Sequence, residues 1–287
     1  MLGINLLNSC VKDIDRHFTA LQYTVKSLLE SDVQNYDWRM VVVDDGSTCP
    51  KTLSYLDVLS QVDSRIHVIR HSSVLGIPKA KDAGYRYLLD TDTDYLVELH
   101  HDMIFPKMWM GPLISHLEEN ESTGIVCSGI VLSYNFPMTI PMDSPYGLPY
   151  EKAKPMVEEE CAKRRVNVTN IGNVQPMVKR TQLAREIGLC DPNLPAKQSG
   201  QDADEWYRMH LKGYQSIVDL NSFVYHHMNF SRGHLIQIEY GVNHPAEYEK
   251  NWKYLDGKYG EDWIAWKKKY YLELRLRMFS SKGDNKE

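Results

Sequence analysis

Tyr95-Leu96-Val97-Glu98-Leu99-His100-His101-Asp102-Met103-Ile104-Phe105-Pro106-Lys107-Met108-Trp109 is the stretch on which the reading of this chain turns. A short apolar run reads as a buried strand. It breaks into two histidines and an aspartate, and Pro106 stops its continuation before a new amphipathic segment begins. Imidazoles and a carboxylate at a strand end can hold a divalent cation, and the strand ends of open α/β sheets are where ligands bind. A polar turn capping a strand is the competing reading of these residues taken alone.

On the N-terminal side of this stretch the chain alternates strand and helix. Met1 to Leu7 reads as a first strand, and Phe18, Leu21, Val25, Leu28 and Leu29 form a helical stripe after it. Trp38-Arg39-Met40-Val41-Val42-Val43 is nearly all apolar, as a strand covered on both faces should be. It ends in Asp44-Asp45-Gly46-Ser47-Thr48, where turn and capping residues precede Pro50 and a short helix carrying Leu53, Leu56 and Leu59. Ile66 to Ile69 is a third strand, and a helix from Pro78 to Leu89 holds Ala80, Ala83 and Gly84 for close packing on the sheet. Lys79 and Lys81 on that helix could reach a phosphate, but isolated lysines on a helix are usually solvated, and both read as such. Four such units predict a parallel α/β sheet with right-handed crossovers.

On the C-terminal side, Lys107 to Asn120 is expected as a helix and Ile125 to Leu132 as a strand. Asn135 to Pro155 holds five prolines and no clear period, so an irregular surface excursion is expected over 134–165, of the kind that serves as a binding element or lid. Residues 166–179 return as strand, Thr181 to Ile187 is a short helix ended by Gly188, and Gly200-Gln201-Asp202-Ala203-Asp204-Glu205-Trp206 opens a helix to about Lys212. Acidic residues there also suit the positive end of a helix dipole. Tyr214 to Val218 and Phe223 to Tyr225 are expected as two short strands leading to His226-His227, and the chain from Ala246 onward as helix. Trp263, Trp266, Tyr270 and the run Lys267-Lys268-Lys269 give that helix aromatic and basic features, which suit peripheral contact with an anionic membrane or ordinary packing with a basic face in water.

With 287 residues, 43% of them hydrophobic and 25% charged, the composition is that of an ordinary globular protein. A net charge of -5 gives no reason to expect a nucleic-acid partner. Five scattered cysteines without a Cys-x-x-Cys pair indicate neither a disulfide framework nor a structural zinc site. No apolar run is long enough to span a membrane and no basic leader opens the chain, so a cytoplasmic setting, with the inner face of the membrane as its extension, is the expectation.

Four pieces in order carry a family resemblance. Val41-Val42-Val43-Asp44-Asp45-Gly46-Ser47-Thr48 resembles the hydrophobic strand ending in Asp-Asp-Gly-Ser of the family 2 glycosyltransferases with the GT-A fold. Leu99-His100-His101-Asp102 sits where that family carries its Asp-x-Asp motif, with Pro106 and Trp109 following in pattern. Ile187-Gly188-Leu189-Cys190-Asp191, then Gly200-Gln201-Asp202-Ala203-Asp204, resembles its Gly-x-Phe-Asp and Glu-Asp segments, and Val224-Tyr225-His226 its histidine-bearing strand. His100 stands where an acid is usual and Gln201 replaces the acid before Asp202; the Asn-x-Gly…Asn segment becomes Val74-Leu75-Gly76…Asp82.

The resemblance implies a Rossmann-like, mostly parallel sheet flanked by helices over residues 1–232, with a nucleotide-sugar-binding half at 1–120 and an acceptor half at 121–232. A helical extension follows at 233–287. It also implies an inverting hexosyltransferase that moves a sugar from a UDP- or GDP-linked donor to a hydroxyl of a glycan, lipid-linked or protein acceptor, as in cell-surface glycan or glycoprotein synthesis. Under it Ser9, Asp44, Asp45 and His101 contact the nucleotide, while Asp102 and His226 bind Mn²⁺ or Mg²⁺. Asp202 is the base, with Asp204 as its alternative. His100 is left as a further metal ligand, a ribose contact or a satisfied polar side chain. Two other functions compete: a nucleotidyltransferase, disfavoured by the missing Gly-rich basic loop at Asn8 to Asp15, and a sugar-nucleotide-binding module without turnover.

Overall fold

The computed structural model describes residues 1–11, 15–132, 139–141, 143–163, 169–171, 175–198, 200–227 and 244–280. Parts of the excursion expected at 134–165, the linking residues 233–243 and the terminus at 281–287 lie outside them. Four parallel strands, β1 (Leu2–Asn8), β2 (Trp38–Asp45), β3 (Ile66–His71) and β4 (Tyr95–His100), lie in the order β3-β2-β1-β4. Every residue of β1 is buried, because α1 (Asp15–Leu29), α2 (Pro50–Val62) and α3 (Ile77–Leu89) supply the covering layers. α3 lies so close to β1 that a Cβ on Gly84 would overlap the Asn5 amide.

After β4 come β5 (Met103–Ile104), α4 (Met110–Glu119), β6 (Thr123–Leu132), β7 (Thr139–Pro141), α5 (Tyr150–Ala162) and β8 (Thr169–Ile171). β9 (Met177–Arg180), α6 (Thr181–Ile187), α7 (Gln201–Leu211), β10 (Gln215–His226) and α8 (His244–Ser280), which is broken into two helical arms by a kink at Gly260 (φ +69°), complete the described residues. The sheet continues β4-β9-β6-β10-β5, with β7 added to β6 and β8 to β10. β9 runs antiparallel to both β4 and β6, so the sheet is mixed where four leading units alone suggested purely parallel pairing.

Two expectations are corrected. The pair of short strands after Tyr214 is one strand, β10, with an irregularity between Asp219 and Phe223. Its polar Asn221-Ser222 read as a break, but Asp219 accepts the Asn221 amide and Ser222 donates to the Trp109 carbonyl, so the strand passes through. The excursion is also less irregular than its prolines suggest. A short 3-10 turn at Pro145–Gly147 leads into α5, which buries Tyr150, Ala153, Val157 and Cys161 on one side. Pro155 sits on the outer side of that helix, where the carbonyl it leaves unpaired can face water.

α8 covers α7. Trp263 is fully buried, and it stacks near Trp252 and Trp266 and edge-on to Tyr207 of α7. Tyr270 packs beside Trp206 of α7. The aromatic side of α8 therefore faces the domain, and Lys268 and Lys269 remain exposed.

The start of α4, expected near Lys107, is set three residues later by a distant carboxylate. Asp32 accepts from the backbone N–H groups of Trp109 (3.1 Å), Met110 (3.1 Å) and Gly111 (2.9 Å), the orphan donors of a helix N-terminus. Asp32→Ala is expected to destabilise the protein by about 3 kcal/mol, because it strips several buried N–H groups of their partner at once. Urea unfolding of the variant would measure it, and a midpoint equal to that of the parent would show that water replaces the cap.

Candidate active site

Parallel register aligns the carboxyl ends of the strands, so Asn8 lies beside Asp44, Asp45 beside His71, and Leu7 beside His100. Asn8 donates to Asp44 (2.7 Å), and the Ser47 hydroxyl donates to the same Asp44 oxygen while accepting the Cys10 amide. Burial pushes the Asp44 carboxyl up, against the pull of Ser47 and Asn8. Asp45 is committed differently. Its carboxylate accepts from the Leu75 amide (2.9 Å) and the Gly76 amide (2.8 Å) and meets His71 Nδ1 at 2.7 Å. Ser9 donates to the Asp45 carbonyl at 2.8 Å. The structure thus brings Ser9, Asp44 and Asp45 to one strand-end shelf, with Asp45 folding the loop that rims it.

His100, Asp102 and His226 come together at the end of β4, where their potential ligand atoms lie within 4.8 Å of one another. Pairing of β5 with the end of β10 sets His226 opposite Met103, and the His227 amide donates to the Asp102 carbonyl at 2.9 Å. The turn is pinned from behind by Thr24 of α1, whose buried hydroxyl lies 2.8 Å from the His101 carbonyl and 3.1 Å from the Met103 amide. His226 Nδ1 lies 3.3 Å from the Gln175 carbonyl, which only accepts, so Nδ1 carries the hydrogen. Nε2 then faces Asp102 Oδ1 at 3.3 Å. In a neutral ring this sets a lone pair against a carboxylate, an arrangement that calls for a cation or a proton between them. Burial alone would raise the Asp102 carboxyl, but His226, then His101 and His100, hold it well below the usual carboxylate range. His101, expected on the nucleotide, is 4% exposed and sits beside His17, with its amide bonded to the Leu7 carbonyl. Burial pushes its imidazole down.

Asp202 stands in the first turn of α7, but the N-cap is Gly200, held at φ +79°. The Asp202 carboxylate points instead to Lys81 of α3 (3.1 Å) and to the side-chain amides of Gln175 (3.0 Å) and Gln201 (3.3 Å). Gln175 therefore touches both halves of the site, His226 through its carbonyl and Asp202 through its side chain. Beneath lies a buried charge cluster. Lys81, 1% exposed, meets Glu98 of β4 at 2.7 Å and Glu205 of α7 at 2.8 Å, Glu205 also pairs with Lys179 of β9, and Tyr85 donates to Glu98 at 2.8 Å. Against the burial cost, the lysines hold Glu205 well below the ordinary range, and its neighbouring carboxylates hold Lys81 well above. Asp204 is turned away: it is fully buried among Arg208, Lys258 and Tyr259.

Lys81, read from sequence as solvated, is the largest miss, and it had a signal. It falls with Gly84, Tyr85 and Leu88 on the buried side of α3, where a charge has to be paired. Glu205, three residues after Asp202 on one helix face, had a similar one. Gln175, Thr24 and His71 had none, because their roles depend on strand pairing.

Residues 16–180 match the sequence profile of Glycosyl transferase family 2. An "Uncharacterized glycosyltransferase" of Haemophilus influenzae is 29% identical over 105 residues, which are 36% of this chain and 31% of that protein. A crystal structure of GalNAc-T7 with UDP, GalNAc and Mn²⁺ superposes with a TM-score of 0.59 at 16% identity, over 79% of this chain and 44% of that one. One of S. aureus TarS superposes with a TM-score of 0.54 at 12% identity, over 90% of this chain and 43% of that one. This chain thus spans less than half the length of each of these relatives. With more than half of its residues inside the match, and with a mixed sheet of the GT-A kind carrying the clusters at its strand ends, the chain belongs to glycosyl transferase family 2.

Proposed function

We propose that this protein is an inverting glycosyltransferase that moves a sugar from a nucleoside diphosphate donor to an acceptor hydroxyl. The meeting of Asp102, His226 and Asp202 around Gln175 supports it. The nucleoside rests on the shelf of Ser9, Asp44 and the loop held by Asp45. Mn²⁺ or Mg²⁺, which the donor set of Asp102 and His226 with His100 beside them fits, would neutralise the charge that builds on the departing diphosphate. His226 is presented to it by the Gln175 carbonyl, as a ligating imidazole usually is by an acceptor behind it.

Asp202 acts as the base. As the acceptor oxygen bonds to the anomeric carbon, its proton passes to the carboxylate; the bond from that carbon to the diphosphate oxygen breaks on the opposite face, and its electron pair leaves with the nucleoside diphosphate. Configuration inverts in one displacement. UDP as the nucleotide, with manganese preferred because imidazole is a ligand, is part of the same proposal.

Two measurements test it. UDP at 100 times its Kd, with Mn²⁺, is expected to stabilise the protein by about 2.7 kcal/mol, seen as a raised melting temperature. Asp102→Asn should abolish the Mn²⁺-dependent part of that shift, and a shift unchanged in the variant would remove Asp102 from the ligand set. Asp202→Asn keeps the shape and the fold, so donor binding should persist while turnover falls by about 10²–10⁴-fold. Turnover within a few-fold of the parent would take the base role from Asp202.

A further inference from the structure

Burying a lysine is unfavourable unless its ammonium is surrounded by negative charge, and Lys81 reaches three carboxylates from two elements, Glu98 of β4 and Asp202 and Glu205 of α7. Two of these are inside: Glu98 is fully buried and Glu205 nearly so. Asp202 differs, with 22% of its side chain exposed. It is where the buried cluster reaches the open side of the site. Its Oδ2 takes the amides of Gln175 and Gln201, and its Oδ1 takes Lys81. A carboxylate has about four acceptor directions, so one on Oδ1 is left for an incoming hydroxyl.

We propose that Lys81 is a positioning residue for the reaction, fixing the orientation of Asp202 so that the free direction of Oδ1 meets the acceptor hydroxyl. This rests on the reading of Asp202 as the base. Lys81 touches neither donor nor acceptor. It acts from below, held in place by Glu98 and Glu205, which are themselves fixed by Tyr85 and Lys179. Without the ammonium, Oδ1 has no partner among the described residues, and the carboxylate is held only at Oδ2, by the Gln175 and Gln201 amides, about which Oδ1 can swing out of line.

The test uses the full chain with Mn²⁺ and water as acceptor, reading nucleoside diphosphate release from UDP-glucose, UDP-galactose, UDP-N-acetylglucosamine and GDP-mannose, with the fastest donor kept for the comparison. Lys81→Met alone leaves buried carboxylates unbalanced and can lose the fold. Lys81→Met with Glu98→Gln removes one charge of each sign, and the new amide oxygen still accepts from Tyr85. The expected result is a melting temperature near that of the parent, an unchanged donor KM and a kcat lower by about 10²-fold, the scale of a misplaced catalytic group. Adding Asp202→Asn to this double variant should lower kcat no further than Asp202→Asn does alone, because both act through one carboxylate. Full kcat in the double variant beside a collapsed Asp202→Asn would overturn the proposal while leaving Asp202 as base. So would losses that multiply in the combined variant, which a purely structural lysine gives. Near-normal turnover in Asp202→Asn would overturn both readings together.

Discussion

An ammonium group withdrawn from water has to be met by carboxylates wherever it can reach, and in this protein that requirement falls on Lys81. Its partners come from β4 and α7, and Lys179 of β9 closes the same cluster. Removing one of its deeply buried members, Lys81, Lys179, Glu98 or Glu205, typically costs about 3–5 kcal/mol, because the remaining charge has no water to turn to. The cluster sits where β9, running against its neighbours, joins the parallel strands to the rest of the sheet. Apolar packing is non-directional, whereas the ion pairs of Lys81 and Lys179 with α7 fix where that helix lies and so where Asp202 stands.

The other arm of the site is built by strand pairing and a buried hydroxyl. Thr24 pins the turn after β4 from behind, and the pairing of β5 with β10 carries His226 to Asp102. Gln175 ties the two arms: its main chain orients an imidazole and its side chain a carboxylate. A strand-end shelf of Ser9, Asp44 and Asp45, a histidine–aspartate group and a carboxylate at a helix start are thereby held by strand pairing and hydrogen bonds, with little left to loop packing alone.

The four leading strand–helix units could be read from residues because each strand is dominated by apolar, often β-branched residues and the helices between them carry apolar positions at helical spacing. The Asp102 and His226 pair was readable as well, since motif order places both at strand ends. What could not be read follows from two physical facts. Antiparallel insertion of β9 is decided by partners distant in sequence, so nothing local to Met177–Arg180 announces it. Punctuating residues also misled where tertiary structure absorbs them. Pro155 rides on the wet side of α5, and Asn221 and Ser222 bridge an irregularity in β10. Lys81 shows the opposite failure: the stripe was visible, but a lysine within it was taken for surface.

The profile match stops at Arg180, and the molecule does not. Lys81 and Lys179 lie inside the matched residues with Glu98, while Asp202 and Glu205, the carboxylates that complete their pairing, lie beyond. Asp204 and Asp191 are tied in turn to Lys258 of α8, and Asn251 of the same helix holds the backbone at Ala196 and Gln198 that leads into α7. A fragment cut at the homology boundary would keep the family signature and strand its cations in the interior. The span that evolution labels and the span that can fold as a unit are different lengths of this polypeptide, and the second reaches into α8.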